Sequence, residues 1–211
     1  MLPEPRSQET RGPGQARDGL AVLPDGDCFV LAGSGNRPAQ EEIVSRYTPR
    51  IYHLFSRVLG DRELAADATQ EVFLRVFRDP GAFQAHRSFR SWIFSIAWNH
   101  ARDQLRRRAV RRKERSGSGP PRGTDDEPPD ARMPAPDEVL ERRERAQIVR
   151  SALSSLEPRQ RALLVLREIE ELSYHELGEL LGLPAGTVKS GVHRARAELR
   201  EALSRGGGHG L

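Results

Sequence analysis

Residues 172–203 read LSYHELGELLGLPAGTVKSGVHRARAELREAL, and this stretch decides the fold of the C-terminal half of the chain. Ser173 stands three residues before Glu176, which is the spacing of a capping box at the start of a helix. Gly182 and Pro184 then interrupt the helical pattern, and a longer amphipathic stretch follows. A short capped helix, a tight turn and a longer helix, in this order, predict a helix-turn-helix.

The second helix of this motif has an apolar face and a basic face. We expect the apolar face to pack inward; it consists of Val188, Val192, Ala195 and Leu199. The other face carries Lys189, Ser190, His193 and Arg194. Recognition helices present their N-terminal half to base edges in the major groove, where Arg, Lys and Ser are suitable ligands. The alternative is a structural helical hairpin whose basic face is merely solvated.

The composition is typical of small helical domains with modest cores. The chain has 211 residues, of which 36% are apolar and 30% charged, and its formal net charge of +4 mildly favours a polyanionic partner. Its single cysteine, Cys28, excludes an intramolecular disulfide and a Cys-based zinc site. We expect neither membrane insertion nor a signal peptide, because long apolar runs are missing, and therefore a cytoplasmic location.

The pattern along the chain predicts an all-α protein with two small helical domains joined by a flexible linker. The expected boundaries are 1–37 for a disordered N-terminal extension, 38–113 for the first domain, 114–137 for a flexible acidic Pro/Gly-rich linker, 138–204 for the second domain and 205–211 for a disordered tail. Within the first domain, Pro49 predicts a break or kink.

The first domain also carries an aromatic set that is followed by a dense arginine run. The aromatic residues are Phe83, Phe89, Trp92, Phe94 and Trp98, and the run LRRRAVRRKER covers 105–115. Aromatics beside arginines suit single-stranded nucleic acid, which needs base stacking and charge neutralisation. The polar loop 84–89 is expected to be exposed. The alternative is that the aromatics, above all Trp92 and Phe94, form core and that the basic run only solubilises a helix end.

The sequence DATQEVF at 67–73 places Asp67, Gln70 and Glu71 on one helical face, which by itself indicates no more than a solvated surface. Catalytic constellations are not found in the sequence: it has no phosphate-binding glycine loop and no paired-histidine metal spacing. We therefore expect no enzymatic activity, no cofactor and no metal.

Together, DRELAADATQEVFLRVFRD, SFRSWIFSIAWNHARDQLRRR and the helix-turn-helix block resemble a bacterial RNA polymerase sigma factor of the extracytoplasmic-function class (group 4, sigma-70 family). The resemblance covers about 38–109 and 138–203 and implies region 2 and region 4 domains. It implies core RNA polymerase (β′ clamp helices and β flap), promoter DNA and an anti-sigma factor as partners. It also implies a cytoplasmic protein that is associated with the nucleoid through the polymerase.

The resemblance assigns roles to individual positions. Polymerase binding falls on Asp67, Gln70 and Glu71. Recognition and melting of the minus-ten element fall on Gln84, His86, Arg87, Ser88, Phe89, Trp92, Asn99, Arg102 and Arg106. Recognition of the minus-thirty-five element falls on Thr187, Lys189, Ser190, His193, Arg194 and Arg196. Gly191 and His193 depart from the usual family pattern, and we expect Gly191 to mark a close approach to DNA or to a partner.

Two other interpretations compete with this one. A helix-turn-helix regulator that binds DNA without polymerase would leave DATQEVF and the aromatic-basic block unexplained. A nucleic-acid-processing enzyme is disfavoured because the sequence offers no metal or nucleophile site.

Overall fold

The computed structural model describes residues 19–114 and 146–206. Within these two ranges every regular element is helical, as predicted, and no strand occurs. The N-terminal half contains α1 (Asp25–Gly33), α2 (Arg37–Leu59), α3 (Arg62–Arg78) and α4 (Phe89–Glu114). The C-terminal half contains α5 (146–154), α6 (Pro158–Leu164), α7 (Tyr174–Leu181) and α8 (Ala185–Gly206). The predicted linker after residue 114 and most of the predicted tail lie outside the described residues.

Local side-chain caps fix the ends of α2 and α3. The Asn36 side chain accepts a hydrogen bond from the Ala39 N–H at 3.0 Å and caps the start of α2. Gly60 ends α2 with φ of 64°, a left-handed conformation that is available to glycine without a Cβ clash. Asp61 follows directly and accepts from the Leu64 N–H at 3.0 Å, which caps α3. This short connection makes α2 and α3 neighbours.

Helix α2 runs without a break through Pro49, which lies inside it. Tyr47 and Ile51, on either side of the proline, are both fully buried, so tertiary packing holds both turns of the helix in place. The Thr48 hydroxyl donates to the Val44 carbonyl at 2.6 Å. Because packing offsets the backbone hydrogen bond that proline cannot donate, the prediction of a break is wrong.

The N-terminal extension is also more ordered than predicted. Residues 19–21 form a helical turn, and α1 buries Cys28, Phe29 and Ala32 in the core. The expectation of disorder over 1–37 is therefore wrong from residue 19 onward, and residues 1–18 lie outside the described part of the chain. The apolar stretch in α1 is too short to form a stable helix alone, and it gains its stability from the helices on which it packs.

Arg46 ties this N-terminal segment to α2. Its guanidinium donates to the carbonyls of Leu20 at 2.6 Å, Ala21 at 2.9 Å and Leu23 at 2.9 Å. It also forms an ion pair with Asp25 at 2.7 Å. One arginine thus contacts three carbonyls at and after the 19–21 turn; the Leu20 carbonyl also accepts from the Leu23 N–H at 3.1 Å.

Helices α7 and α8 form the predicted helix-turn-helix. The Ser173 hydroxyl accepts from the Glu176 N–H at 3.2 Å, and the Glu176 carboxylate accepts from the Ser173 N–H at 2.8 Å, which confirms the capping box. Gly182 ends α7 with φ of 65°. A Cβ at Gly178 would lie 2.7 Å from the Leu183 carbonyl oxygen, so the turn folds back tightly on α7.

The two halves of the molecule pack against each other and share one core. Its buried residues include Ile51 and Phe94 from the N-terminal half and Leu166, Leu172 and Leu177 from the C-terminal half. The sequence predicts two domains and a linker, and it gives no indication of this contact.

Candidate nucleic-acid interface and partner surface

The basic face of α8 is open to solvent. Val188, Val192 and Ala195 are fully buried, as the periodicity predicts. Leu199 is half-buried and packs against a smaller cluster that contains Ala195 and Leu153, Leu156 and Leu164. All six predicted recognition residues are exposed: Thr187, Lys189, Ser190, His193, Arg194 and Arg196. At 100° per residue, Ser190 and His193 point away from the buried face, and this outward face begins in the first turns of α8. That is the geometry that major-groove recognition requires.

Arg196 differs from the other exposed residues of α8 because its guanidinium is already engaged. Two of its nitrogens donate to Oε1 of Glu168, at 2.9 Å and 2.7 Å. These hydrogen bonds raise the pKa of Arg196 above its usual value. Arg196 therefore lies on the flank of α8 next to Glu168, while Arg194 points more directly outward.

Gly191 faces the interior of the C-terminal half and not a ligand. A Cβ at this position would lie 3.1 Å from Cδ1 of Leu163 in α6. The close approach that the glycine signals is therefore the packing of α6 against α8. The expectation that Gly191 approaches DNA or a partner is wrong.

The polar loop before α4 is exposed at Gln84, His86, Arg87 and Ser88. It folds as a turn in which the Arg87 N–H donates to the Gln84 carbonyl at 2.8 Å. The Ser88 hydroxyl accepts from the Ser91 N–H at 3.3 Å, which helps to start α4. The loop thus presents polar side chains on a backbone that its own hydrogen bonds hold in shape.

A polar and basic stripe continues from this loop along α4. Asn99, Arg102 and Arg106 are all exposed, and their spacing of three and four residues places them on one helical face. Together with the loop, they form a continuous surface that can meet nucleic acid.

Phe89 does not belong to this surface, although the resemblance assigned it to recognition and melting of the minus-ten element. It is only 3% exposed and packs among Phe29, Phe83 and Tyr47. Trp92 is half-buried, and its ring lies 5.3 Å from the ring of Phe29. The aromatics therefore form mainly core, which was the alternative interpretation, because helical spacing turns them toward α1 and α2.

Within the arginine run, Arg108 has a structural role. It donates to the Leu59 carbonyl at 2.9 Å and to Asp61 at 2.7 Å, so it ties α4 to the junction of α2 and α3. Arg107 and Arg111 are exposed, like Arg106. The run therefore contains both a packing residue and free cationic surface.

The three residues of α3 that were predicted to contact a partner lie on the surface, next to a residue that sequence reasoning missed. Asp67 and Gln70 are exposed, and Glu71 is partly exposed and paired with Arg75 at 3.0 Å, which lowers the pKa of Glu71. Leu74, one turn further along this face, is 61% exposed. An apolar residue within a polar stripe at helical spacing is a sequence signal that identifies it.

Among residues 19–114 and 146–206, no three His, Cys, Asp or Glu side chains converge to hold a metal ion. None of the described helices is both long and apolar enough to span a membrane.

Comparison with known proteins shows which families the two halves of the chain match. Residues 43–111 match the family model of Sigma-70 region 2, and residues 146–199 match that of Sigma-70, region 4. The chain is 38% identical over 168 residues to the ECF RNA polymerase sigma factor SigE of Mycolicibacterium smegmatis, covering 80% of this chain and 63% of that protein. It is 31% identical to the ECF RNA polymerase sigma factor SigW of Bacillus subtilis, covering 80% of this chain and 91% of SigW.

Two solved structures share the fold. The sigma factor RpoE in complex with the anti-sigma factor NepR from Bartonella quintana matches with a TM-score of 0.65 and 21% identity, covering 78% of this chain and 96% of that one. CnrH in complex with the cytosolic domain of CnrY matches with a TM-score of 0.58 and 26% identity, covering 86% and 97%.

Proposed function

The chain belongs to the extracytoplasmic-function sigma factors of the sigma-70 family, the subunits that give bacterial RNA polymerase its promoter specificity, and we propose that it binds core polymerase, directs it to promoters and promotes DNA opening. One observation supports this proposal above the others. The recognition face of α8 and the stripe on α3 are both exposed, and they lie on the two halves that match region 4 and region 2. A DNA-binding regulator that acts alone needs only the first of these surfaces.

The stripe on α3 is the proposed contact with the β′ clamp helices. Asp67 and Glu71 supply negative charge, Gln70 supplies hydrogen bonds, and Leu74 supplies apolar area within the same face. An exposed leucine surrounded by polar groups is the composition of a small protein interface.

The loop and the stripe on α4 form the proposed minus-ten surface. Gln84, His86, Arg87 and Ser88 surround the start of α4, and Asn99, Arg102 and Arg106 continue the surface. Trp92, which is half-buried, lies between the loop and Asn99 along α4 and is the aromatic residue that we propose for stacking. Capturing a base from the duplex costs a few kcal/mol, which contacts of this kind offset.

The outward face of α8 is the proposed reader of the minus-thirty-five element. Lys189, Ser190, His193 and Arg194 are available to base edges, and Thr187 lies at the start of the helix. Arg196, held beside Glu168, is better placed for a phosphate than for a base.

Further partners follow from the family. We propose that the region 4 half also contacts the β flap, as the family resemblance implies. We also propose that an anti-sigma factor binds the chain, since the structural relative RpoE was solved with the anti-sigma factor NepR. We propose a cytoplasmic protein that accompanies polymerase on the nucleoid, has no catalytic site of its own and needs no cofactor.

Run-off transcription with core polymerase tests the proposal. The template is a duplex library with randomised minus-thirty-five and minus-ten elements, and transcripts are sequenced with and without this protein. We expect protein-dependent transcripts that share one sequence pattern at each element, and Asp67→Arg should abolish them. If no transcript depends on the protein, and the protein alone selects a duplex sequence, it is a regulator that acts without polymerase.

A further inference from the structure

A buried carboxylate joins the two halves of the molecule. Glu170 is 1% exposed and is the only acidic side chain that is buried among the described residues. Its Oε2 accepts a hydrogen bond from Arg50 Nε at 2.8 Å, and the ion pair brings a second guanidinium nitrogen of Arg50 to 2.5 Å from the same oxygen. Arg50 lies in α2, so the two charges come from opposite halves. A carboxylate buried without this partner would be strongly destabilising.

The backbone around Glu170 is irregular. Val165–Ile169 form a single π-helical turn, and Glu171 has φ of 54°, the only non-glycine residue with positive φ in the described part of the chain. Such features cost free energy and persist only where the surroundings impose them, often at functional positions. Here their result is that Glu170 points into the seam between the halves, while Glu168 and Ile169 remain on the surface.

Arg50 is positioned for this contact by its own half. Its guanidinium lies 5.0 Å from the centroid of the Tyr47 ring and 5.8 Å from that of Phe94. About a third of its side chain remains exposed. Arg50 is therefore already partly hydrated while the halves are in contact, whereas Glu170 is shielded from water until they separate.

A second polar contact crosses the same seam. The Ser91 hydroxyl, in the first turn of α4, donates to Oε1 of Glu176 at 2.5 Å. The other oxygen of Glu176 caps α7 through Ser173. The residue that starts the helix-turn-helix is thus bonded to the helix that carries the proposed minus-ten surface.

The chain connection does not impose this closed arrangement. Residues 115–145 lie between the described parts, and 31 residues can span about 100 Å when extended. The connection also makes the contact between the halves intramolecular, so that no second molecule has to be captured. Modest contacts therefore suffice to hold the halves together.

In the closed arrangement the molecule is too small to contact both promoter elements at once. By their names the two promoter elements are separated by about 25 base pairs, or about 85 Å of duplex. A compact body made of residues 19–114 and 146–206 has a radius of gyration of about 15 Å and is about 40 Å across. The halves must therefore separate before both elements can be read.

We infer that the contacts of Glu170 with Arg50 and of Glu176 with Ser91 form a latch that keeps the free protein closed and that must open when it joins polymerase on a promoter. Only the second part of this inference rests on the proposed function. The latch reduces the apparent affinity for polymerase by the fraction of molecules that are open. Weakening the latch should raise this affinity without any change at the polymerase-binding surface.

Distance measurement on the free full-length chain tests the latch. Cys28 is replaced by Ala, and spin labels are attached to Ala66→Cys in α3 and Glu201→Cys in α8, both exposed positions. Double electron–electron resonance should give one narrow, short distance for this parent. Glu170→Gln should add a broad, long component and raise the open-to-closed ratio about tenfold. Ser91→Ala, which leaves the cap of α7 intact, should do so to a smaller extent.

The matched control is Glu168→Gln, which removes an ion pair of the same kind that is confined to the C-terminal half. It should leave the distance distribution of the parent unchanged. Arg50→Gln leaves the Glu170 carboxylate buried without its partner, so it should open the chain at least as far as Glu170→Gln does. The double variant should open it no further than Arg50→Gln, because both changes break one pair. Far-UV circular dichroism should remain that of the parent in every variant.

A broad distribution of long spin-label distances in the parent would contradict the latch. So would equal distance distributions in the Glu168→Gln and Glu170→Gln variants. In a second measurement, core polymerase should bind Glu170→Gln more tightly, by the same factor as the increase in the open fraction. If the chain binds no polymerase at all, the proposed function fails, while the distances in the free protein still decide whether the latch exists.

Discussion

The rings of Phe29 and Phe89 stack in the core of the N-terminal half with their centroids 4.7 Å apart. This contact joins α1 to the first residue of α4, immediately after the exposed loop that we assign to the minus-ten element. Phe89 therefore anchors the end of the loop in the core, while the side chains of residues 84–88 stay exposed.

We predict that Phe89→Ala lowers the free energy of unfolding by about 3–5 kcal/mol, because it removes a buried ring and leaves a cavity. Urea denaturation measures this loss. A pre-melted promoter bubble should not restore activity, since the defect lies in folding. Normal stability together with an opening defect that the bubble rescues would place Phe89 at the DNA.

Asn99→Ala should have the opposite effects to Phe89→Ala: it should impair duplex opening and leave stability nearly unchanged. Asn99 is exposed on α4, so its truncation should change stability by no more than about 0.5 kcal/mol. Duplex opening, followed by permanganate reactivity of the minus-ten thymines, should be slower, and a pre-melted bubble should restore it. A defect that persists on the bubble template contradicts a role in opening.

Asp67→Arg should weaken binding to core polymerase by several kcal/mol if it places like charges together at the interface, and it should leave the protein folded. Fluorescence anisotropy of the labelled protein against core polymerase measures the affinity. Glu179→Arg, an equal charge reversal at an exposed position of α7, is the control and should bind normally. Equal binding of the two variants would remove Asp67 from the interface.

Lys189→Ala and Arg194→Ala should each relax the base preference at one promoter position by about 1–3 kcal/mol. Arg196→Ala should instead weaken all sequences alike and reduce the salt dependence by about one unit. Holoenzyme binding to single-base promoter variants at two salt concentrations separates these effects. If neither Lys189→Ala nor Arg194→Ala alters the preference, α8 does not read the promoter in this way.

The stability of the protein should depend on His100 in mildly acidic solution. Burial lowers the pKa of His100, and the positive charge of Arg75 adds to this effect. The unfolded chain therefore takes up a proton at higher pH than the folded chain, so the free energy of unfolding falls as the pH drops below about 6.5. His100→Gln should reduce this slope in denaturation experiments at pH 5 to 7. The exposed His175→Gln serves as control and should leave the slope as it is.

The sequence by itself determined the class of fold, the helix-turn-helix and the family. These follow from short-range chemistry: the Ser173 and Glu176 cap, the Gly182 stop and the 3.6-residue period of Val188 and Val192 each act within a few turns of one helix. The exposed basic face of α8 could be predicted for the same reason.

Tertiary structure alone decided what the remaining residues do. Phe89 looks like a stacking residue in sequence, and only its contact with α1 makes it core. Gly191 resembles a ligand-facing glycine until Leu163 is seen 3.1 Å from its Cβ position. The pair of Arg50 and Glu170 is separated by 120 residues along the chain. No local pattern encodes such a pair, because its stabilisation comes from burial that exists only after both halves have folded and met.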